Sequence, residues 1–188
     1  MAGLDPKAWI NLGQATVALV DGTELGMQIL KQIFSGLGAR SLRCFGTAAE
    51  ALDFARHTEL TLIVCDDTLP DMSGYDFVNK LRHAGMDPNS FTPVIIVSGH
   101  TRQKQVAAAR DCGANFVVAK PMSAQTLLER VVWVAKDGRP FVEVGGYLGP
   151  DRRFKEVEAE AKRGRRRHDG RTAEADPASQ AEPERGAA

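Results

Sequence analysis

Residues 62–74 read Leu-Ile-Val-Cys-Asp-Asp-Thr-Leu-Pro-Asp-Met-Ser-Gly, an apolar run that gives way to carboxylates, a proline and a glycine. The run from Leu60 to Cys65 has the length and the β-branched content of a buried parallel strand. Asp66 follows where that strand ends. Because ligands of open α/β sheets bind at the carboxyl ends of the strands, Asp66 is placed for chemistry rather than for packing.

Four more strand-like segments alternate with helical patterns on either side of this stretch. They are residues 16–20, 41–45, 94–97 and 116–119, of which 41–45 is the weaker one. Regular alternation of strands and helices predicts a parallel sheet with right-handed crossovers. We therefore expect an α/β fold of the flavodoxin-like (βα)5 type, with strand order 2-1-3-4-5.

The helices are predicted from apolar spacing and from capping residues. The first has a predicted core stripe of Leu25, Ile29, Ile33 and Leu37, broadened by Leu30 and Phe34. The last has a predicted core stripe of Leu127, Leu128, Val131, Val132 and Ala135. Predicted N-caps of the second, third and last helices are Thr47, Ser73 and Ser123. An Ala-rich helix is expected before Cys112-Gly113.

Composition limits the function classes. The 188 residues carry 24 basic and 24 acidic side chains, so the balance argues against a protein built to bind nucleic acid or a membrane surface. The three cysteines have no metal-ligand spacing and are interpreted as reduced thiols of a cytoplasmic protein. No signal peptide and no run of about 18 apolar residues is present, so no membrane span is expected.

Residues fall into four segments by composition. We expect an N-terminal lead at 1–14, one globular domain at 15–136, an extension at 137–154 and a disordered tail at 155–188. The tail is rich in Arg, Glu, Ala and Pro, and it cannot bury enough apolar surface to offset its chain entropy.

Four predicted strands end in a polar residue of chemical use: Asp21, Asp66, Ser98 and Lys120. They should meet at one rim of the sheet. A carboxylate nucleophile can form an acyl phosphate, and Mg²⁺ prefers carboxylate and carbonyl oxygens. A hydroxyl and an ammonium can hold the phosphoryl oxygens. The set therefore suits phosphoryl transfer to a carboxylate.

The chain resembles the receiver domain of bacterial two-component response regulators over roughly residues 16–135. The matching pieces are Val20-Asp21, Asp66-x-x-x-Pro70-x-x-x-Gly74, residues 93–99 and Gly113-Ala114 with Lys120-Pro121. The resemblance implies that Asp66 accepts a phosphoryl group from a histidine kinase or histidine phosphotransferase. It implies Mg²⁺ bound by Asp21, Asp66 and the main-chain carbonyl of Thr68. It implies that Ser98 and Lys120 bind the phosphoryl oxygens and that the peptide bond before Pro121 is cis.

Two positions depart from the family pattern. Gly22 stands where receivers usually carry a second acid that binds the metal directly, so Mg²⁺ should bind less tightly. Glu24 or Asp67 would have to compensate. Val117 stands where the family usually has an aromatic ring that reports the movement of the hydroxyl residue, so the output surface must change differently.

The leading hypothesis is a stand-alone response regulator that signals by protein contact, because too few apolar residues follow 136 to build an output domain. The alternative is a pseudoreceiver that binds partners without phosphorylation, motivated by Gly22. An aspartate-nucleophile phosphatase would need an acid at Thr68, and a flavodoxin-type enzyme would need a Gly-rich loop after the first strand. Homodimerisation through the last two helices stays open.

The segment after residue 138 holds a Tyr-x-Gly-Pro-Asp-Arg-Arg motif, Tyr147 to Arg153, which resembles extensions of some single receivers. It is either an arm that packs back through Phe141 and Tyr147 or a docking peptide. The basic run at residues 162–168 is expected to be solvated, since acids lie just upstream and no aromatic residues are interleaved.

Overall fold

The computed structural model describes residues 12–99, 108–109 and 111–152. The expected Ala-rich helix lies mostly outside this range, although Ala108, Ala109 and Asp111 are helical. Most of the N-terminal lead, the basic run and the expected disordered tail also lie outside it. In the described residues, no helix is long and apolar enough to cross a membrane.

Five parallel strands form one sheet in the order β2-β1-β3-β4-β5, as expected. The strands are β1 (Thr16–Val20), β2 (Ser41–Phe45), β3 (Leu62–Asp66), β4 (Val94–Ser98) and β5 (Phe116–Ala119). β3 and β4 are buried along their whole length, which explains why both read as continuous apolar runs rather than as alternating ones.

Four complete helices lie within the described residues: α1 (Glu24–Gly36), α2 (Ala48–Ala55), α3 (Gly74–His83) and α4 (Ala124–Ala135). The predicted N-caps are confirmed. The side chains of Thr47, Ser73 and Ser123 each accept a hydrogen bond from the backbone N–H three residues later. This removes one of the donors that every helix start leaves unpaired.

The core consists of two apolar layers, one on each face of the sheet. Side chains of α1 and α4 pack on one face with alternate residues of the strands, such as Val17 and Val64. Side chains of α2 and α3 pack on the other face with the intervening residues, such as Ala18 and Ile63. Helices on both faces are what a parallel sheet requires.

The predicted core stripe of α1 is wrong at two positions. Leu25 is 69% exposed and Ile29 is 43% exposed, whereas Leu30 and Phe34 are buried. The helix starts at Glu24 and turns its Leu30–Phe34 face to the sheet, so Leu25 and Ile29 point outward, whereas Ile33 and Leu37 still pack partly buried against the core. In α4, Leu127, Val131 and Val132 are buried as predicted, but the last buried residue is Val134 rather than Ala135, which is exposed.

The extension forms an antiparallel hairpin of β6 (Phe141–Val144) and β7 (Tyr147–Pro150). The ring of Phe141 meets the edge of Phe91 at 5.4 Å between centroids and lies 5.0 Å from the guanidinium of Arg82. The hydroxyl of Tyr147 donates to the Pro150 carbonyl of the same hairpin at 2.9 Å.

Two glycines allow the hairpin to approach the sheet. A methyl group on Gly149 would lie 2.7 Å from the Cα of Gly113 and 2.5 Å from the Tyr147 hydroxyl. Gly113 has φ +89° and would bring any side chain against the Leu148 carbonyl. Contact between backbones at this distance leaves no room for a Cβ atom. The Tyr-x-Gly-Pro part of the motif therefore has a packing role.

Candidate functional site

The carboxyl ends of four strands bring the predicted site residues together. Asp21 follows β1, Asp66 ends β3, Ser98 ends β4 and Lys120 follows β5. Asp21, Asp66 and Ser98 are 3%, 6% and 3% exposed, so these polar side chains sit at the rim without being hydrated freely.

Asp66 and Lys120 form an ion pair. Lys120 Nζ lies 2.8 Å from Asp66 Oδ1, and the same oxygen accepts the backbone N–H of Asp67 at 2.9 Å. Lys120 is positioned by its own backbone N–H, which donates to the Ser98 carbonyl at 2.7 Å. The Lys120–Pro121 peptide is cis, as the resemblance implied. An ammonium group is therefore held against the carboxylate.

Burial decides the proton affinity of Asp66. Desolvation raises the pKa of its carboxyl above the ordinary value of 3.8, although the hydrogen bond and charge of Lys120 lower it. The negative charge of nearby Asp21 adds to the increase. The repulsion between two ionised carboxylates at a buried rim is unfavourable unless a cation lies between them.

Asp21 is held by the start of α1. Its Oδ1 accepts the backbone N–H of Thr23 at 2.8 Å and the Thr23 hydroxyl at 2.7 Å. The carboxylate lies directly over Gly26, where a Cβ atom would collide with its oxygens. Gly26 was not singled out in the sequence, since a glycine inside a helical pattern gives no sign that it makes room for a carboxylate.

The loop that follows Asp66 is tightly folded. The backbone N–H of Gly74 donates to the Asp67 carbonyl at 2.9 Å, and that of Leu69 donates to the Met72 carbonyl at 3.2 Å. A Cβ on Gly74 would collide with the Asp66 carbonyl, so the glycine of the motif is required where α3 begins. These bonds bracket Thr68, whose main chain pairs with Ser73.

The predicted Mg²⁺ ligands are two carboxylates, Asp21 and Asp66, and the Thr68 main-chain carbonyl. Over the residues that the structure describes, no three His, Cys, Asp or Glu side chains come close enough to hold a metal ion by themselves. Asp67 does not supply the third carboxylate, because it faces Ser98. Glu24 is exposed on α1 and accepts from Gln28 at 3.4 Å. The oxygen donors present fit Mg²⁺, with fewer charges than three acids would provide.

Packing against Pro70 explains why residue 22 is a glycine, which the sequence did not predict. A Cβ at this position would lie 2.6 Å from Cδ and 2.9 Å from Cγ of Pro70. The proline ring of the β3–α3 loop therefore occupies the space that a side chain at residue 22 would need.

Ser98 is joined to two residues that the sequence did not link to it. Its hydroxyl donates to Asp67 Oδ2 at 2.6 Å, and the Tyr75 hydroxyl lies 3.5 Å from Ser98 Oγ. Asp67 is 5% exposed. Val117, on the neighbouring strand, belongs to the same face of the sheet. Strand alternation could have placed Asp67 on this face, but nothing in the sequence indicated that Tyr75 reaches it.

An apolar groove of about 430 Å³ adjoins the site. Its lining includes the exposed side chains Leu25 and Ile29 of α1 together with Met122, Asp21 and Lys120. Leu25 and Ile29, the two misplaced residues of the predicted stripe, therefore form part of the wall of this groove.

Comparison with known proteins agrees with this geometry. The family model described as the response regulator receiver domain matches residues 17–132. Chemotaxis protein CheY-3 of Vibrio cholerae is 24% identical over 115 residues, which are 61% of this chain and 87% of that protein. The polar-differentiation response regulator DivK of Brucella anthropi is 28% identical over 116 residues, 62% of this chain and 92% of that protein.

A longer relative and a solved structure complete the comparison. The sensory/regulatory protein RpfC of Xanthomonas campestris is 26% identical over 121 residues, but the match spans only 16% of its length. The structure of chemotaxis response regulator CheY4 of Vibrio cholerae superposes with a TM-score of 0.58 at 25% identity, covering 64% of this chain and 98% of that one. The family model covers more than half of the chain and the strand order agrees with it, so the chain belongs to the response regulator receiver domain family.

Proposed function

We propose that this protein is a stand-alone response regulator that accepts a phosphoryl group on Asp66 and signals by protein contact. The observation that carries the proposal is the ion pair between Lys120 and Asp66, which holds a buried carboxylate beside an ammonium at the strand ends. Relatives that consist almost wholly of the matched region, such as the response regulator DivK, of which the match covers 92%, support a signalling role.

In the proposed reaction, a carboxylate oxygen of Asp66 attacks the phosphorus of a phosphohistidine. The new O–P bond replaces the P–N bond, and the released imidazole takes up a proton. Burial disfavours the charged carboxylate, which favours its reaction with an electrophile. Lys120 balances the negative charge on the transferring group, and the Ser98 hydroxyl then donates to a phosphoryl oxygen.

Mg²⁺ would be held by Asp21, Asp66 and the Thr68 carbonyl. When bound, it neutralises charge on the phosphoryl oxygens. The two hydrogen bonds that Thr23 donates to Asp21 Oδ1 fix the position of this carboxylate at the strand end. Having two carboxylates in place of three predicts weaker binding than in a receiver with the full acidic set.

The proposed donor is a histidine kinase or histidine phosphotransferase in the cytoplasm. A helix that presents a phosphohistidine could pack its apolar side on Leu25 and Ile29, which border the groove beside Asp66. Burying such side chains contributes roughly 1.5–3 kcal/mol each. The output partner is proposed to be another protein, and nucleic acid is disfavoured by the zero net charge.

The second candidate is a pseudoreceiver that binds partners without phosphorylation. The short distance between Pro70 and a Cβ at residue 22 favours it. The second acid of the family is not only absent there, because the Pro70 ring also occupies the space that its side chain would need.

The two candidates differ in one reaction. The protein is incubated with Mg²⁺ and phosphoramidate, a small donor whose P–N bond resembles that of phosphohistidine, and the label is mapped by peptide mass spectrometry. The proposal predicts label on Asp66, lost in Asp66→Asn and retained in the control Asp71→Asn. Absence of label in the wild-type protein would favour the pseudoreceiver.

A further inference from the structure

Asp67 is a buried carboxylate that the phosphoryl-transfer reaction does not use. It follows the phosphoacceptor directly but faces the opposite side of the sheet, where Ser98 and the α3 layer lie. The bond from the Ser98 hydroxyl to Asp67 Oδ2 is 2.6 Å long, in the range of strong O–H donors to a charged acceptor. The Thr68 hydroxyl donates to Oδ1 of the same group at 3.2 Å.

Tyr75 extends this contact into α3. Its hydroxyl is oriented to donate to Ser98 Oγ at 3.5 Å, the outer limit of a hydrogen bond. Burial is the main influence that raises the pKa of the phenol above its ordinary value, so the group keeps its proton at neutral pH. The hydroxyls of Tyr75 and Ser98 therefore both donate in the direction of the Asp67 carboxylate, which accepts.

We propose that Asp67 holds the Ser98 hydroxyl away from the phosphoacceptor and that Tyr75 replaces Ser98 on Asp67 when phosphorylation draws Ser98 away. In this arrangement Asp67 is a positioning residue and Tyr75 reports the state of Asp66 to α3. The inference rests on the proposed function, because Ser98 moves only if Asp66 is phosphorylated.

The chemistry of a hydroxyl requires an exchange. Ser98 has one proton to donate, so it serves either Asp67 or a phosphoryl oxygen but not both. When it turns, Tyr75 loses the oxygen it faces, and Asp67 Oδ2 is the next acceptor along the chain. Val117 has no ring that could follow Ser98, whereas Tyr75 stands in the first turn of α3 and can transmit its movement there.

The movement of Tyr75 can be observed directly. The chain has two tyrosines, so labelling tyrosine with ¹³C at Cζ gives two NMR signals that report hydroxyl bonding. On addition of Mg²⁺ and beryllofluoride, the Tyr75 signal should shift, while that of Tyr147, which is bonded to the Pro150 carbonyl, should stay as an internal reference. In Asp67→Asn, the Tyr75 shift should be reduced.

The holding role of Asp67 is tested by a double-mutant cycle on beryllofluoride affinity. Asp67→Asn weakens the acceptor of Ser98, and we expect about fivefold tighter binding than in the wild type from this cause. Removing a negative charge near the site also helps binding, and this contribution is measured by the same change in a Ser98→Ala background. A larger gain with Ser98 present supports the proposal, whereas equal gains in both backgrounds would overturn it.

Failure of this proposal is distinguishable from failure of the proposed function. A phosphoryl group on Asp66, shown by mass, together with an unmoved Tyr75 signal would overturn the switch alone. A wild-type protein that takes up neither phosphoryl group nor beryllofluoride would overturn both.

Discussion

Asp66 and Asp71 lie five residues apart and are affected by the fold in opposite ways. For Asp66, burial outweighs the ion pair with Lys120 and raises the pKa. For Asp71, burial also raises the pKa, but hydrogen bonds from the backbone N–H groups of Ala48 and Ala49, at 3.0 and 2.9 Å, outweigh it and lower the pKa. The ionised carboxylate of Asp66, at the predicted reaction site, therefore lowers the stability of the fold at neutral pH. The ionised carboxylate of Asp71, which caps α2, raises it.

We predict that Asp66→Asn raises the melting temperature at pH 7. Because the folded pKa is raised, the folded state binds more protons than the unfolded state in the window above 3.8, and stability falls as the pH rises through it. The neutral amide avoids this cost. The gain should shrink as the pH is lowered towards the ordinary value, as measured by thermal unfolding at a series of pH values.

Asp71→Asn is the control of opposite sign. Its lowered pKa contributes stability that is present at neutral pH and lost as the pH falls, so the variant should melt below the wild type at pH 7. A destabilised Asp66→Asn variant at pH 7 would contradict the assignment of Asp66 as a desolvated carboxylate.

We predict that Gly22→Asp does not restore a metal site by itself. The new Cβ would lie 2.6 Å from Pro70 Cδ, so the variant should lose about 1–3 kcal/mol of unfolding free energy by overpacking. Adding Pro70→Ala removes the contacting ring atoms, and only this double variant should bind Mg²⁺ more tightly than the wild type. Urea unfolding and Mg²⁺ titration measure the two effects.

Gly138→Asp provides a matched glycine substitution, because a Cβ at Gly138 meets nothing within 4 Å. If Gly22→Asp were as stable as Gly138→Asp, the account of the Pro70 contact would be wrong.

At the scale of elements, the β6–β7 hairpin covers a buried guanidinium. Arg82 is 1% exposed and donates to the carbonyls of Gly113, Ser90 and Thr92 at 3.1, 2.9 and 2.8 Å. Burial lowers the pKa of its guanidinium from the usual value to about 10. The face of Phe141 adds a cation–π contact, so the hairpin shields a charge that main-chain oxygens solvate.

We predict that Gly149→Ala destabilises the domain by roughly 1–3 kcal/mol, since its methyl group would force the hairpin away from Gly113. Gly138→Ala, in open space, is the control. Chemical unfolding gives the stability difference, and faster amide exchange in β7 should accompany it. Equal stability of the two variants would mean that the hairpin does not depend on this contact.

At the scale of the whole molecule, the sheet order followed from the sequence because strand-like segments, continuous apolar runs in β3 and β4, alternate regularly with helical patterns. The convergence of Asp21, Asp66, Ser98 and Lys120 followed from the same rule. Contacts between distant segments were not predictable in this way. Pro70 against Gly22, and Tyr75 near Ser98, depend on how the β3–α3 loop folds, which has no periodic signal.

The exposed face of α1 shows the same limit of prediction from sequence. Leu25 and Ile29 have the spacing of core residues, and periodicity alone cannot tell a face that packs on the sheet from one that borders a groove. Only the placement of α1 beside Lys120 and Met122 gives that face its role.

The measurement that tests the central claim most directly is intact-mass spectrometry of the wild type and Asp66→Asn with acetyl phosphate over a series of Mg²⁺ concentrations. We predict that the wild type gains one phosphoryl group in a Mg²⁺-dependent manner and that Asp66→Asn gains none. The half-saturating Mg²⁺ concentration should be lower in the Gly22→Asp, Pro70→Ala double variant. An unchanged wild-type mass at saturating Mg²⁺, or a phosphoryl group that persists in Asp66→Asn, would contradict the account.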